Sequence, residues 1–281
     1  DAASKGGELG FGQDAGGYQR PYYSPFDIWI EGKYGGYKDQ GDVDGHFGMV
    51  TVGADYVFNR AFLAGVFVQY DSMRQDSDAN GKLSGNGWMA GPYATLRLSE
   101  NLFWQSRAAW GRSSNDIKPF GTYEDSFDTN RWLVSTSLTG RYQFRNWTVS
   151  PEAALTYFED KSDAYTDTYG ITIPGVKTSL GQLKVGPNFS YRHVARTDLV
   201  LEPHLGAHLI WNFETGTEAA GLGQLGDDAI GPDGVRGQVE AGLRAQHVSG
   251  VSVDLSASYD GIGAGDFQAV TGRATLHVPF N

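Results

Sequence analysis

Histidine and carboxylate are the side chains of this 281-residue chain best placed to do chemistry, since it has six His, 33 Asp plus Glu, and no Cys. His204 and His208 alternate with Glu202 in the run Leu199–Phe213, a spacing by two that sets all three on one side of an extended strand, where they could hold a metal or move a proton. The same spacing arises freely on any strand with one hydrated face, so they are read as wall residues. His193 and His247 fall on the opposite face near short turns, where a lipid-cleaving enzyme could set a His beside a nucleophilic Ser. No G-x-S-x-G or comparable signature accompanies them, and interfacial snorkelling explains both. Asp163, Asp167, Asp227, Asp228 and Asp233 lack the regular spacing of a calcium loop and read as solvated loop residues. Without cysteine there are neither disulfides nor thiolate metal sites. A net charge of -11 and a pI near 4.9 are the reverse of a phosphate-binding surface, so nucleic acid is excluded as a partner. The expectation is no catalytic residue, no cofactor and no metal.

The elements that carry these residues are strands. Hydrophobic residues make up only 40% of the chain, yet Gly numbers 39 and aromatics reach 13%. The longest uncharged apolar run, Ala61 to Val68, is far below the roughly 18–20 residues of a membrane-spanning helix. A membrane-spanning strand needs only about 9–11 residues and alternates apolar with polar. Residues 1–25 are Gly-rich and polar without periodicity, a linker or lumenal segment, and 26–281 form one all-β unit. Leu199, Leu201, Pro203, Leu205, Ala207, Leu209, Trp211 and Phe213 line one face of their run and Glu202, His204, His208 and Asn212 the other. Twelve such segments are predicted, over about 26–37, 47–58, 61–73, 84–98, 102–114, 130–144, 147–160, 178–194, 199–213, 234–248, 251–260 and 266–280.

Their connections alternate. Asn59-Arg60, 99–101, Arg145-Asn146, 195–198 and Ser249-Gly250 are tight turns, whereas 38–46, 74–83, 115–129, 161–177 and 214–233 are long and polar, and three of them carry charges of -2, -3 and -5. Aromatics mark two belts: Phe58, Trp104, Trp147 and Phe280 beside the short turns, Trp88, Trp110, Trp132 and Trp211 towards the long loops. A soluble β-sandwich shares the alternation, but not strands of 10–17 residues or this rhythm of connections. The fold class is therefore a 12-stranded antiparallel up-and-down transmembrane β-barrel. The polar face carries Asp27, Glu31, Asp55, Glu152, Glu202, Glu240 and Asp254 against Lys33, Arg97, Arg107, Arg141, Lys184, Arg192, Arg244 and Arg273, seven acids and eight bases facing a lumen in which they must pair. Twelve strands about 4.8 Å apart and tilted about 40° give a backbone radius of about 12 Å, and side chains leave a bore of roughly 10–12 Å, room for an extended chain or one helix. A passive or solute-selective channel is the alternative use of such a bore.

The run Pro25-Phe-Asp-Ile-Trp-Ile-Glu-Gly-Lys-Tyr34, then His46-Phe-Gly48 with Gly53-Ala-Asp-Tyr56, then Gly85-Asn-Gly-Trp-Met-Ala-Gly-Pro-Tyr93, resembles the autotransporter β-domain family, in particular its alphaproteobacterial members, over about 26–281. The resemblance implies a type V secretion translocator in the bacterial outer membrane, with short turns periplasmic and long loops extracellular. Its implied partners are outer-membrane lipid and lipopolysaccharide, the barrel assembly machinery and an N-terminal passenger, and the barrel is expected to be a monomer. Two departures stand out. Family members usually finish on an aromatic residue, but Asn281 follows Phe280; and some relatives cut their lumenal linker at paired asparagines, but no Asn occurs before Asn59. The Gly-rich start is poor in helix formers, so at most a short helix or an extended plug is expected there. Asn-mediated self-cleavage should not occur: intact-mass spectrometry of the folded chain should show one species of full mass, and a fragment ending in a cyclised Asn would refute this.

Overall fold

The computed structural model describes residues 25–39, 43–77, 81–118, 123–219, 234–265 and 267–280. The predicted linker at 1–24 lies outside them. The strands are β1 (Phe26–Asp39), β2 (Val43–Asn59), β3 (Phe62–Ser77), β4 (Gly81–Ser99), β5 (Leu102–Lys118), β6 (Asp125–Gly140), β7 (Tyr142–Phe144), β8 (Trp147–Ser162), β9 (Tyr165–Thr166), β10 (Thr172–Ile173), β11 (Val176–Tyr191), β12 (His193–Arg196), β13 (Leu199–Ala219), β14 (Gly234–His247), β15 (Ser252–Ile262) and β16 (Gln268–Pro279). β7 and β12 continue β6 and β11 past one irregular residue, and β9–β10 form a separate hairpin. The remaining twelve strands pair antiparallel with their neighbours, and β1 pairs β16 with Lys33 opposite Arg273, so the sheet closes. All twelve predicted segments are strands.

Alternation follows from the pleat: successive side chains leave opposite faces of the sheet, one to the lumen and one to the outside. Ile30, Val66, Val134, Leu205, Leu209 and Leu255 point outward and are exposed on the barrel's exterior, as a lipid-facing band requires. The turns are local chemistry. Arg145 sits at φ 56° in the two-residue turn Arg145-Asn146, and the Asn59 side chain accepts the Ala61 N–H at 2.8 Å to close the turn after β2.

Two expectations are corrected. Much of the sequence read as long loops is strand: Asp39 pairs with Val43, Ser77 with Gly81 and Ile117 with Asp125, while β13 runs to Ala219 and β9–β10 occupy part of 161–177. Beyond the bilayer both faces of a hairpin meet water, so pairing continues after the apolar alternation, on which a sequence reading relies, has ended. The inner face is also not uniformly hydrated. Trp29, Leu63, Phe67, Met89, Tyr93, Phe103, Ala109 and Leu133, all from β1 and β3–β6, form a buried apolar cluster inside the lumen. The apolar run Ala61 to Val68 is thereby explained: Ala64, Val66 and Val68 leave the barrel while Leu63 and Phe67 enter it.

Leu205 lies about midway along the outward apolar row of β13. Leu205→Arg should cost about 2–4 kcal/mol of membrane-inserted stability, measured as a lowered urea midpoint for folding into lipid vesicles. Full retention of that midpoint would mean that this face does not meet lipid.

Candidate functional site: the barrel lumen

Asp254 and Glu240 centre the charged wall of the lumen. From β14, the Arg244 guanidinium approaches Asp254 on β15 at 3.3 Å; from β16, Arg273 Nη2 reaches Glu240 at 2.8 Å and Asp254 at 3.9 Å, while its Nε donates to Ser256 Oγ at 3.1 Å. His204 on β13 stands between the two acids, Nδ1 3.8 Å from Asp254 and Nε2 4.0 Å from Glu240. Further round the ring Arg236 meets Asp260 at 2.8 Å, Lys184 meets Glu152 at 3.5 Å, Lys33 meets Glu31 at 3.0 Å, and His277 faces Asp27 at 3.7 Å. Most partners come from neighbouring strands because directly opposed side chains are about 4.5–5.5 Å apart, nearer than i and i+2 on one strand. That is why Glu202 does not join His204 and His208 as the spacing by two suggested: Glu202 turns to Arg192 at 3.9 Å. Among the described residues no group of three or more His, Cys, Asp or Glu is arranged to hold a metal.

The opposite wall adds hydrogen-bonded staples to its ion pairs. Trp29 Nε1 donates to Tyr93 Oη at 2.7 Å, and that hydroxyl donates to Asp55 Oδ2 at 2.8 Å, linking β1, β4 and β2 across the inside. Gly53 lies directly opposite Trp29, and a Cβ there would collide with the indole. Above this cluster, towards the long loops, a chamber of about 540 Å³ is lined by Phe47, Met49, Met73, Met89, Phe127 and Phe158 among others, so all three methionines of the chain contribute. Arg131 on β6 spans the chamber's wall, donating to Asp160 on β8 at 2.9 Å and to Asp71 on β3 at 2.6 Å. It crosses β5 and β4 to do so, over Gly87, where a Cβ would strike the guanidinium.

Of the residues expected to line the lumen, Glu31, Lys33, Asp55, Arg107, Arg141, Glu152, Lys184, Glu202, His204, Glu240, Arg244, Asp254 and Arg273 share the inward parity of their strands. Arg97 and Arg192 lie at the short-turn rim instead, Arg97 donating to the Ser99 and Glu100 carbonyls, because the wall ends there and the turn backbone offers nearer acceptors. Arg131, Asp71, Asp160, Arg236 and Asp260 were missed, although parity alone places them inward; each sits near the end of its predicted segment. All eight belt aromatics named from sequence are on the outward face or its rim: Trp88 stacks edge-on against Trp110 with centroids 5.3 Å apart, and Trp104 donates to Thr136 Oγ1 at 2.8 Å. At the short-turn end Ser249 Oγ lies 2.9 Å from His247 Nδ1, and His247 Nε2 lies 3.8 Å from Asp198. The Ser249 N–H also donates to Nδ1, at 3.2 Å, and the trio is exposed, which is turn capping rather than a cleft.

A closed up-and-down barrel with a lipid-compatible exterior and an ion-paired lumen defines an outer-membrane barrel. The autotransporter beta-domain family model matches residues 28–260, and the chain belongs to that family. The β domain of the Bordetella autotransporter BrkA superposes with a TM-score of 0.73 at 16% identity, covering 91% of this chain and 100% of that one. The translocator domain of NalP from Neisseria meningitidis gives 0.68 at 14% identity, covering 94% and 91%. The transport unit of AIDA-I from Escherichia coli gives 0.68 at 15% identity, covering 94% and 93%. No curated protein matches the sequence significantly. The chain is an outer-membrane translocator barrel, and export of an N-terminal passenger is the function of its family.

Arg131→Ala leaves two partly buried carboxylates facing each other without their cation. It should destabilise the folded barrel by about 1–3 kcal/mol, seen as an earlier denaturant midpoint, and the triple change Asp71→Asn, Asp160→Asn, Arg131→Met should recover most of the loss.

Proposed function

We propose that this barrel carries its passenger's connecting segment through the lumen, with the short turns in the periplasm and the long hairpins outside the cell. The closed ring supports the reading: strand number and tilt give twelve strands a bore on the order of 10 Å, with ion-paired side chains on one side of the lumen and a chamber of about 540 Å³ on the other. A passage of that width takes an extended chain or one helix and no folded domain. Residues 1–24 immediately precede β1 at the short-turn end and are the segment proposed to enter it. Hairpins of unequal length support the orientation, since outer-membrane barrels keep short turns on the periplasmic side. Insertion with help from the barrel assembly machinery, lipid and lipopolysaccharide as the surroundings, and a monomeric state complete the proposal; a closed ring offers no strand edge to a second copy. No catalytic role is proposed, and the His247–Ser249 contact is taken as structural.

The competing reading, a constitutively open channel, differs in one measurable way. In planar bilayers the full chain should conduct several-fold less than a chain lacking residues 1–24, and a reporter domain fused ahead of Phe26 should become accessible to antibody on intact cells. Equal conductance of the two forms together with a reporter retained inside would reject translocation in favour of the channel.

A further inference from the structure

The outward face at the long-loop end carries cations of two kinds. Lys38, Lys82, Lys118 and Lys177 each have a carboxylate: Asp44 at 3.3 Å, Asp76 at 3.4 Å, Glu124 at 2.9 Å and Glu159 at 3.3 Å. Arg74 on β3 is exposed without a carboxylate at ion-pair distance among the described residues, and so are Arg112 on β5 and Lys161 on β8, which stand two strands apart. Arg112 and Lys161 lie in one cross-strand row, Trp88–Arg112–Asn130–Lys161–Lys177, each opposite the next. Lys161 therefore stands directly opposite another lysine, and the one carboxylate at that pair, Glu159, is placed 3.3 Å from Lys177, which leaves Lys161 without a partner of its own. The acids nearby are engaged: Glu159 holds Lys177 and accepts the Tyr157 hydroxyl at 3.2 Å, and Asp128 accepts the Ser114 hydroxyl at 2.6 Å.

The surface below this row is built for acyl chains. One row towards the short turns come Trp110 and Trp132, opposite each other and 42% and 55% exposed. Beneath them Ala108 pairs with Val134 and Ser106 with Thr136, small residues between the two indoles above and Trp104 below. Their polar atoms are used within the sheet: Ser106 Oγ donates to the Ser135 carbonyl at 3.3 Å, and Thr136 Oγ1 donates to the Gln105 carbonyl at 3.1 Å while accepting from Trp104. The result is a strip of smaller side chains between indoles, without a free side-chain donor, capped by two unneutralised cations and one amide.

We propose that the outer face of β5, β6 and β8 binds the phosphorylated glycolipid of the outer leaflet, lipid A of lipopolysaccharide. A phosphate is held between Arg112 and Lys161 beside Asn130, and an acyl chain lies along the strip of smaller side chains below Trp110 and Trp132. Two strand spacings, about 10 Å, separate the cations, within reach of two long side chains converging on one phosphate. The proposal rests on the reading that the long-loop end faces outward.

The full chain, extracted from outer membranes in mild detergent, tests it by native mass spectrometry. Arg112→Gln with Lys161→Gln should reduce lipid A adducts about tenfold, the loss expected for charge-assisted hydrogen bonds, while Lys38→Gln with Lys82→Gln, whose cations already have carboxylates, should leave them unchanged. Equal adduct levels in the two variants would overturn the site. Lipid A should also bind the unaltered barrel about tenfold more tightly than dephosphorylated lipid A and displace phosphatidylglycerol; equal binding of any of these would overturn the site too, whether or not the double variant folds. Labelling of Tyr169→Cys by a membrane-impermeant thiol reagent on intact cells separates the two ideas. An unlabelled Cys overturns the orientation, whereas labelling with undiminished lipid A adducts in the Arg112/Lys161 variant overturns the lipid site alone.

Discussion

A backbone N–H or C=O that meets hydrocarbon has no water to pair with, and this requirement organises the whole molecule. A sheet satisfies it only by closing, which the register between β1 and β16 accomplishes, from Asp27 opposite Pro279 to Lys38 opposite Gln268. Closure then dictates alternation, because every strand acquires one face towards lipid and one towards the lumen. It also explains the extra length of the hairpins. Once the wall leaves the bilayer the requirement lapses, and polar pairs such as Lys38–Asp44 and Lys82–Asp76 decorate strands that keep their ladder bonds in water.

Closure alone does not make the wall stiff, and the two halves of the lumen resist deformation differently. On the β1–β6 side apolar side chains from several strands meet inside the ring, and the chain of bonds from Trp29 through Tyr93 to Asp55 ties non-neighbouring strands together. On the β13–β16 side many inward residues are charged and form ion pairs across adjacent strands, as Arg244 does with Asp254 and Arg236 with Asp260. The first half is a small protein core turned inward. The second is a ladder of ion pairs in which Arg236, Arg244, Asp254 and Arg273 are all buried.

How much of this the sequence reveals depends on whether a residue's environment is set by its own strand or by another. Leu199–Phe213 announces itself, because lipid outside and polar groups inside make its alternation clean. Ala61–Val68 hides its parity, because Val66 meets lipid and Phe67 meets the inward core, and both environments ask for an apolar residue. The lumen-facing charges follow from parity, yet their partners do not. His204 looks along its own strand to Glu202 in the sequence, whereas the sheet brings Glu240 and Asp254 nearer. Arg131 is the extreme case, since its carboxylate on Asp71 is 60 residues away and reachable only because Gly87 leaves the path open. No periodicity on β6 could encode that.

The pairing of the lumenal charges bears on transit itself. A chain moving through a narrow bore would stall on unpaired arginines or carboxylates, each of which would gain a partner by binding it. In this barrel Arg273, Arg244, Arg236 and Lys184 already hold carboxylates of the wall, so a passing segment can gain little from them that does not first break an existing pair. The other half adds side-chain packing, and three methionines line its chamber, unbranched side chains that accommodate many shapes without selecting one. A wall whose charges are largely paired with one another, and whose chamber adds adaptable methionine side chains, is therefore suited to the passage of varied sequence that we propose for it. Cation pairs left open on the outside, at Arg112 and Lys161, invert the same logic: where the surroundings are stationary lipid rather than a moving chain, an unpaired charge serves to hold.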